Sequence, residues 1–323
     1  MRKPPGALFL YMLLGLVAFV GAADTRGQSR GDGSLTLEYQ YIRTGTFDDG
    51  NYEYDYWKTD AQVLMLSGDY SITDRLTVFA SLPYIWKRFI AGNQFNGDPH
   101  NPNDPYWVDF VPPDKRFWDD GKYHSDFQDF SIGFSYLALD GPLKISPYIG
   151  YGVPMTDYPF FAKAAIGQNL WNVPVGASFS YAPYFSDWYL SGNAAYVFSE
   201  KPLGVNVDYW LTHLATGYRF TPRFAANVFL SLKYVREGMK LPYDFVDDPE
   251  NFVYPDDFGT EEWWHHDRLG AHRNLNLGLG VDYFLSPQWK VSATGYTALW
   301  VEQTNEVDYA FTMAVTRFFS GSD

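Results

Sequence analysis

The chain contains no cysteine, so neither a disulfide framework nor lipid attachment to a cysteine can anchor or staple it. It also has no long apolar run. The longest stretch lies at the start, from Ala7 to Val20, and falls short of the roughly 20 residues a spanning helix needs. Basic residues are scarce: 24 Lys and Arg stand against 38 Asp and Glu, a formal charge of -14. That balance excludes nucleic acid as a partner, because phosphate binding needs a basic footprint. Nucleotide and metal-protease motifs are missing too. No phosphate-binding loop, paired-histidine zinc helix or nucleophile elbow occurs, and no cofactor is expected.

What is present begins with Met1-Arg2-Lys3, the apolar stretch, and then Gly21-Ala22-Ala23. A basic start, a short apolar segment and a small-residue exit make a signal peptide, assigned here to residues 1–22. Aromatic residues reach 20%, with 26 Tyr, 26 Phe and 11 Trp, while the mean hydropathy of -0.27 would suit a soluble protein. The two facts agree in a barrel that shows one face of each strand to lipid and the other to water.

From residue 35 onward apolar residues recur at every second position, the period of a strand. Leu35-Leu37-Tyr39-Tyr41, Leu76-Val78-Ala80-Leu82-Tyr84-Trp86 and Phe224-Ala226-Val228-Leu230-Leu232-Tyr234 are typical. Most stripes carry an aromatic at one or both ends, as expected where Tyr and Trp sit at a lipid–water boundary. Short turns at Ser71–Arg75, Asp140–Pro142, Pro183–Asp187, Thr221–Arg223 and Leu285–Gln288 alternate with longer connections near 46–57, 90–126, 155–169, 199–206, 237–271 and 302–306. Five short turns and six long loops predict an all-β fold: a single transmembrane antiparallel up-and-down barrel of about twelve strands, with both ends in the periplasm. The expected organisation is a short polar segment over 23–34, a barrel over 35–319 and a tail over 320–323.

If the apolar stripes face lipid, the residues between them line the lumen. A charge facing mid-membrane hydrocarbon costs roughly 2–4 kcal/mol, which directs Glu38, Lys87, Asp129, Lys144, His213, Arg219, Lys233, Asp282, Lys290 and Asp308 inward. Phe79, Tyr148, Tyr189, Phe229, Tyr296 and Trp300 are placed there as lumen aromatics. Two readings stay open: an aqueous path whose selectivity these charges set, or an interior closed by acid–base pairs. Strand two, Asp60 to Tyr70, has no clean alternation and cannot be oriented. No catalytic or metal site is assigned. Only His213 among the six histidines sits squarely within a strand, and no serine neighbours it in sequence on the same face. Glu261-Glu-Trp-Trp-His-His-Asp267 is compatible with a metal but matches no closed ligand set, so a folded surface loop is the reading adopted. The acidic loops, with Asp98, Asp104, Asp109, Asp114, Asp119 and Asp120 in one and Asp244, Asp247, Asp248, Glu250, Asp256 and Asp257 in another, are compatible with contact to outer-membrane lipid and lipopolysaccharide through bridging divalent cations or with repulsion of anionic solutes, a merely solvated surface being the default.

Tyr70-Ser-Ile-Thr-Asp-Arg-Leu76 through Ala80-Ser-Leu-Pro83-Tyr84 resembles a signature of the phenol-degradation-pathway (MetA-like) barrels, related to outer-membrane transporters of hydrophobic compounds. Ser125-Asp-Phe-Gln-Asp129-Phe-Ser-Ile-Gly133 and Ile149-Gly-Tyr-Gly-Val-Pro154-Met-Thr156-Asp157 are similar to its later strand pair, with Pro154-Met155-Thr156 standing where Pro-Thr-Gly is usual. The resemblance covers roughly residues 60–200. It implies an outer-membrane channel or facilitator for small, apolar or aromatic solutes and supplies no catalytic residues. The alternatives are a closed structural or adhesive surface barrel and a lipid-modifying outer-membrane enzyme.

Overall fold

A computed structural model describes residues 29–48, 53–54, 57–91, 121–161, 163–240 and 261–321. The signal-peptide segment, most of loops 92–120 and 241–260 with their acidic residues, and the last two residues of the tail lie outside them.

The strands are β1 (Gly33–Asp48), β2 (Trp57–Ser71), β3 (Leu76–Ala91), β4 (in two pieces, His124–Phe127 and Asp129–Tyr136), β5 (Leu143–Pro154) and β6 (Asn172–Tyr181). They continue as β7 (Trp188–Ser199), β8 (Tyr209–Thr221), β9 (Phe224–Val235), β10 (Arg273–Ser286), β11 (Trp289–Glu302) and β12 (Thr304–Phe319). Each pairs antiparallel with the next, and β12 pairs with β1 from Gly33↔Phe319 to Asp48↔Thr304, closing a twelve-stranded barrel. A two-residue strand, Glu53–Tyr54, pairs back onto the end of β1. Closure matters because hydrocarbon offers backbone groups no hydrogen bonds, so a spanning sheet can have no free edge. Among the described residues no helix is long and apolar enough to cross a membrane, which leaves the crossing to the strands.

The short turns share one device. Thr73 Oγ1 accepts from the backbone N–H of Leu76 (2.9 Å), and Thr221 Oγ1 accepts from that of Phe224 (3.0 Å). Ser286 Oγ accepts from the N–H of Gln288 at 3.2 Å. A hydroxyl that captures an N–H two or three residues on reverses the chain without a hairpin glycine. This explains the Ser/Thr repeat at the three turns.

Alternation resolves into two faces. Leu35, Leu37, Ile132, Phe134, Ile149, Val175, Leu214, Leu279, Met313 and Val315 are exposed on the outer wall, flanked by Tyr39, Tyr136, Tyr181, Trp188, Trp210, Tyr283, Tyr309 and Phe319. Strand two also takes a side: Thr59, Ala61, Val63, Met65 and Ser67 are buried inward, and Leu64 and Leu66 face out. Its pattern is blurred because both faces are apolar there.

Glycine fits the inner face at particular pairings. Phe79 lies directly across from Gly133, Tyr189 from Gly217 and Phe229 from Gly278. At each of these glycines a Cβ would overlap the opposing ring. A flat side chain thus occupies the space its glycine partner leaves, the arrangement by which an aromatic offsets the weakness of glycine in a strand. We expect Gly278→Ala to lower the unfolding free energy by about 1–3 kcal/mol, the usual cost of overpacking. In a Phe229→Ala background the same change should cost less, because the ring it strikes is gone. Urea titration of the four variants in detergent micelles measures both.

Candidate functional site

The loop-side half of the lumen is filled. Loop 155–171 follows Pro154, which ends β5, and turns down between the strands instead of standing above them. Its Tyr158 and Ile166 pack with Ile42, Val63, Met65 and Ile85 from the inner faces of β1, β2 and β3. This is why β2 lacks polar alternation: its lumen face serves as a wall for apolar loop side chains. Ala164, Ala165 and Leu170 are buried as well. Asn169, with φ 52°, adopts the left-handed region that asparagine tolerates, and it turns the loop back toward β6.

Two lumen charges hold this loop. Lys87 is 1% exposed, and its Nζ donates to the Ala165 carbonyl at 2.6 Å. Tyr158 OH donates to Asp129 Oδ1 at 2.5 Å and accepts from the backbone N–H of Asn169 at 3.0 Å. Burial, followed by the nearby Asp129 carboxylate, raises the Tyr158 hydroxyl well above the usual tyrosine range, so it stays a donor.

A second layer closes over the first. Helix α1 (Glu261–Leu269) and the residues after it rest on loop 155–171. Arg268 donates to the carbonyls of Gln168 (Nε, 2.9 Å) and Asn169 (Nη2, 2.6 Å), with its guanidinium 4.0 Å above the Phe160 ring. His265 and His266, adjacent in sequence, go to different rings, Phe160 at 5.0 Å and Phe161 at 5.6 Å. They therefore do not converge on an ion. Among the described residues no group of three His, Cys, Asp or Glu is placed to share a metal. His272 is buried beneath α1, with Nδ1 2.5 Å from the Gln303 carbonyl and Nε2 3.3 Å from that of Asp267. Burial, and then the charge of Lys233, push its imidazole down to about 4 against the opposing pull of the two carbonyls.

The other expected lumen residues take varied positions. Glu38, Lys144, His213, Arg219, Lys233, Asp282 and Lys290 lie on inward-facing positions of their strands. Asp282 and Lys290 approach to 3.5 Å, and Ser292 Oγ donates to the same carboxylate oxygen at 2.6 Å. Lys144 comes within 4.0 Å of Asp140 in the turn below it. Arg219 and Lys233 lie over the rings of Tyr189 (5.0 Å) and Tyr209 (4.5 Å). Asp308 departs from the expectation: it is the extra, exposed residue of a bulge between Tyr309↔Arg43 and Val307↔Thr44, lying against Gly45. Trp300 departs too. A bulge between Ala298↔Asn276 and Trp300↔Leu275 inverts the facing of the last residues of β11, so Trp300 is exposed on the outer wall and Val301 is buried. Phe79, Tyr148, Tyr189, Phe229 and Tyr296 do face inward, each directly across from a glycine.

Two arrangements escaped the sequence reading. Asn193, His213, Ser231 and Asn276 form one inward row across β7 to β10, with every member buried. Register alone could have revealed it, since the four lie in separate strands. His213 Nδ1 has no hydrogen-bond partner among the described residues, and its ring stands 5.2 Å from that of Phe229. A serine and an asparagine beside a histidine invite comparison with a hydrolase, but no nucleophile–base hydrogen bond joins them. The second arrangement is the outward row Arg43–Asp60–Arg88, hidden because strand two could not be oriented.

A family model described as a putative MetA-pathway of phenol degradation matches residues 59–313. The chain belongs to that family. Among solved structures, this MetA-pathway barrel is similar to an outer membrane channel from Pseudomonas putida F1, with TM-score 0.65 and 13% identity over 93% of this chain and 100% of that one. It is similar to a lesser degree to the translocator domain of the autotransporter NalP from Neisseria meningitidis, at TM-score 0.47 and 12% identity over 92% and 90% of the two chains. A monoaromatic hydrocarbon channel, CymD, gives TM-score 0.41 and 12% identity over 90% and 89%. At 13% identity the likeness to the Pseudomonas putida channel establishes the outer-membrane barrel fold. Comparison with curated protein sequences finds no match.

His272 gives the capped mouth of this MetA-pathway barrel a pH dependence. Its folded value of about 4 lies below the ordinary 6.5, so an opened cap binds a proton that the closed one refuses. The stability this group contributes is complete above pH 6.5 and drains as the pH falls toward 4. Protease cleavage within 155–171 or 261–272 should accelerate across that interval, and His272→Gln should flatten the profile.

Proposed function

We propose that the chain is a passive outer-membrane channel or facilitator for small solutes, with access governed by the loop lodged in its lumen. The observation that carries this reading is the construction of loop 155–171. It enters the closed barrel and is held by polar anchors that include Lys87 to Ala165 and Asp129 to Tyr158. A barrel needed only as a wall would have no use for an inner face built to receive a loop. The apolar patch of Ile42, Val63, Met65 and Ile85 beneath that loop supports small apolar or aromatic solutes as the cargo class. Family membership and the likeness to the Pseudomonas putida outer membrane channel agree with transport. The lumen charges would then set selectivity around the moving loop. In this reading the protein is a transporter and not an enzyme, consistent with a His213 that has no hydrogen-bonded nucleophile.

A closed structural barrel is the second reading, favoured by the Asp282–Lys290 pair and by the two-layered cap. Conductance separates them. In a planar bilayer the refolded barrel should pass ions in discrete steps, and small aromatic solutes should reduce the current. Lys87→Met, which removes one anchor, should raise the open fraction several-fold. A folded barrel that stays silent in both forms would favour the closed structure.

A further inference from the structure

On the outer wall, Arg43, Asp60 and Arg88 lie side by side in one register row across β1, β2 and β3. They sit one residue pair beyond the aromatic residues Tyr41 and Trp86 of the same face, on the side of the long loops. Nearer the middle of the wall the face is apolar, with Leu64 and Leu66 exposed. An outward charge is costly at the midplane of a bilayer but costs only about 0–1 kcal/mol near its interface, so this row marks the headgroup level.

The internal chemistry of the row is asymmetric. The Asp60 carboxylate is 2% exposed and fully engaged. Its Oδ1 accepts from Arg43 Nη1 (2.6 Å) and Tyr41 OH (2.8 Å), and its Oδ2 from Arg88 Nε (3.1 Å) and Nη2 (2.7 Å). The two arginine side chains remain 25% and 38% exposed. Each arginine carries five N–H donors, and Asp60 takes one from Arg43 and two from Arg88. The carboxylate therefore clamps two cations side by side and hides its own oxygens, while both arginine side chains stay partly exposed, Arg88 also lying 4.7 Å over the Tyr123 ring. The row keeps an excess of one positive charge on a chain whose formal charge is -14. Elsewhere on the same wall, Arg273 is matched by Glu302 at 3.0 Å, and that pair is neutral.

We propose that Arg43 and Arg88, positioned by Asp60, form a binding site for a phosphate of an outer-leaflet lipid. A phosphate offers several anionic oxygens at headgroup level, and paired guanidinium forks match them in geometry as well as charge. The site stands apart from the lumen and does not depend on the channel reading. It also differs from contact through acidic loops, because no bridging cation is needed.

The test uses the full refolded barrel in detergent, titrated with bisphosphorylated lipid A or its dephosphorylated counterpart and read by native mass spectrometry. Wild type should retain the phosphorylated lipid and release the other. Arg43→Gln with Arg88→Gln should weaken retention by roughly tenfold or more, as expected for lost charge-assisted hydrogen bonds. Arg273→Gln should leave it unchanged. Asp60→Asn, whose amide nitrogen cannot accept from a guanidinium, loosens the clamp and should also weaken retention; a brace serving only the barrel wall would show no dependence on lipid phosphate in any variant. Heat-modifiable migration on gels confirms that each variant folds. Equal retention of the two lipids by wild type, or an Arg43→Gln/Arg88→Gln protein that binds as wild type does, would overturn the proposal. Displacement of lipid by millimolar inorganic phosphate would also overturn it, by showing a site for the free ion.

Discussion

Backbone hydrogen bonding in a medium that supplies no partners is the constraint on which this structure rests. The pairing of β12 with β1 removes the last free sheet edge, and the rest of the architecture follows from it. A closed barrel obliges every strand to serve two solvents at once. The outer wall accordingly carries leucine, isoleucine and aromatic ends, while the inner wall carries Asn193, His213, Ser231, Lys233 and Asn276. Closure also fixes how much interior there is to fill. The chain fills it in two ways, with rings set against glycines toward the turn side and with a folded-in loop toward the other.

The loop is the point where the fold becomes functional. An interior closed permanently would be most economically built from side chains of the strands themselves. Here a separate segment enters, packs on Ile42, Val63, Met65 and Ile85, and is covered by α1 through Arg268. Beside this apolar packing its polar anchors include Lys87 to Ala165, Asp129 to Tyr158 and Arg268 to Gln168 and Asn169, each at an identifiable side chain. In the proposed reading such a segment would take two positions, in the lumen or out of it, which is what a gate requires. Its buried polar contacts also make the inserted position specific, since a merely approximate fit would lose the Lys87–Ala165 and Asp129–Tyr158 hydrogen bonds.

Much of the fold was legible in the sequence because barrel strands declare themselves by period and by aromatic ends. Leu35 to Tyr41 and Leu279 to Tyr283 needed no structure to be placed on the outer wall. The inward position of Lys87, Asp129 and Lys233 followed from the cost of the alternative. What was illegible depended on events that break the period. One bulge turned Trp300 outward, and another left Asp308 exposed as its extra residue. Strand two was unreadable because Ala61, Val63 and Met65 face a protein loop where water was assumed. The same failure concealed Asp60 and with it the Arg43–Arg88 row. The insertion of loop 155–171 gave no local signal at all, since its composition is that of an ordinary loop and only the apolar wall awaiting it is unusual.

The central claim is that loop 155–171 controls passage through the barrel. The absence of cysteine permits a direct measurement: one cysteine replaces Ile166 in the loop and another replaces Val63 on the wall, and a short thiol-cleavable cross-linker joins them. Single-channel current is then recorded before and after the linker is cut. The account predicts a barrel held shut while linked and discrete conducting steps once the loop is released. Equal currents in the two states would contradict it, because the segment filling the lumen would then have no part in passage.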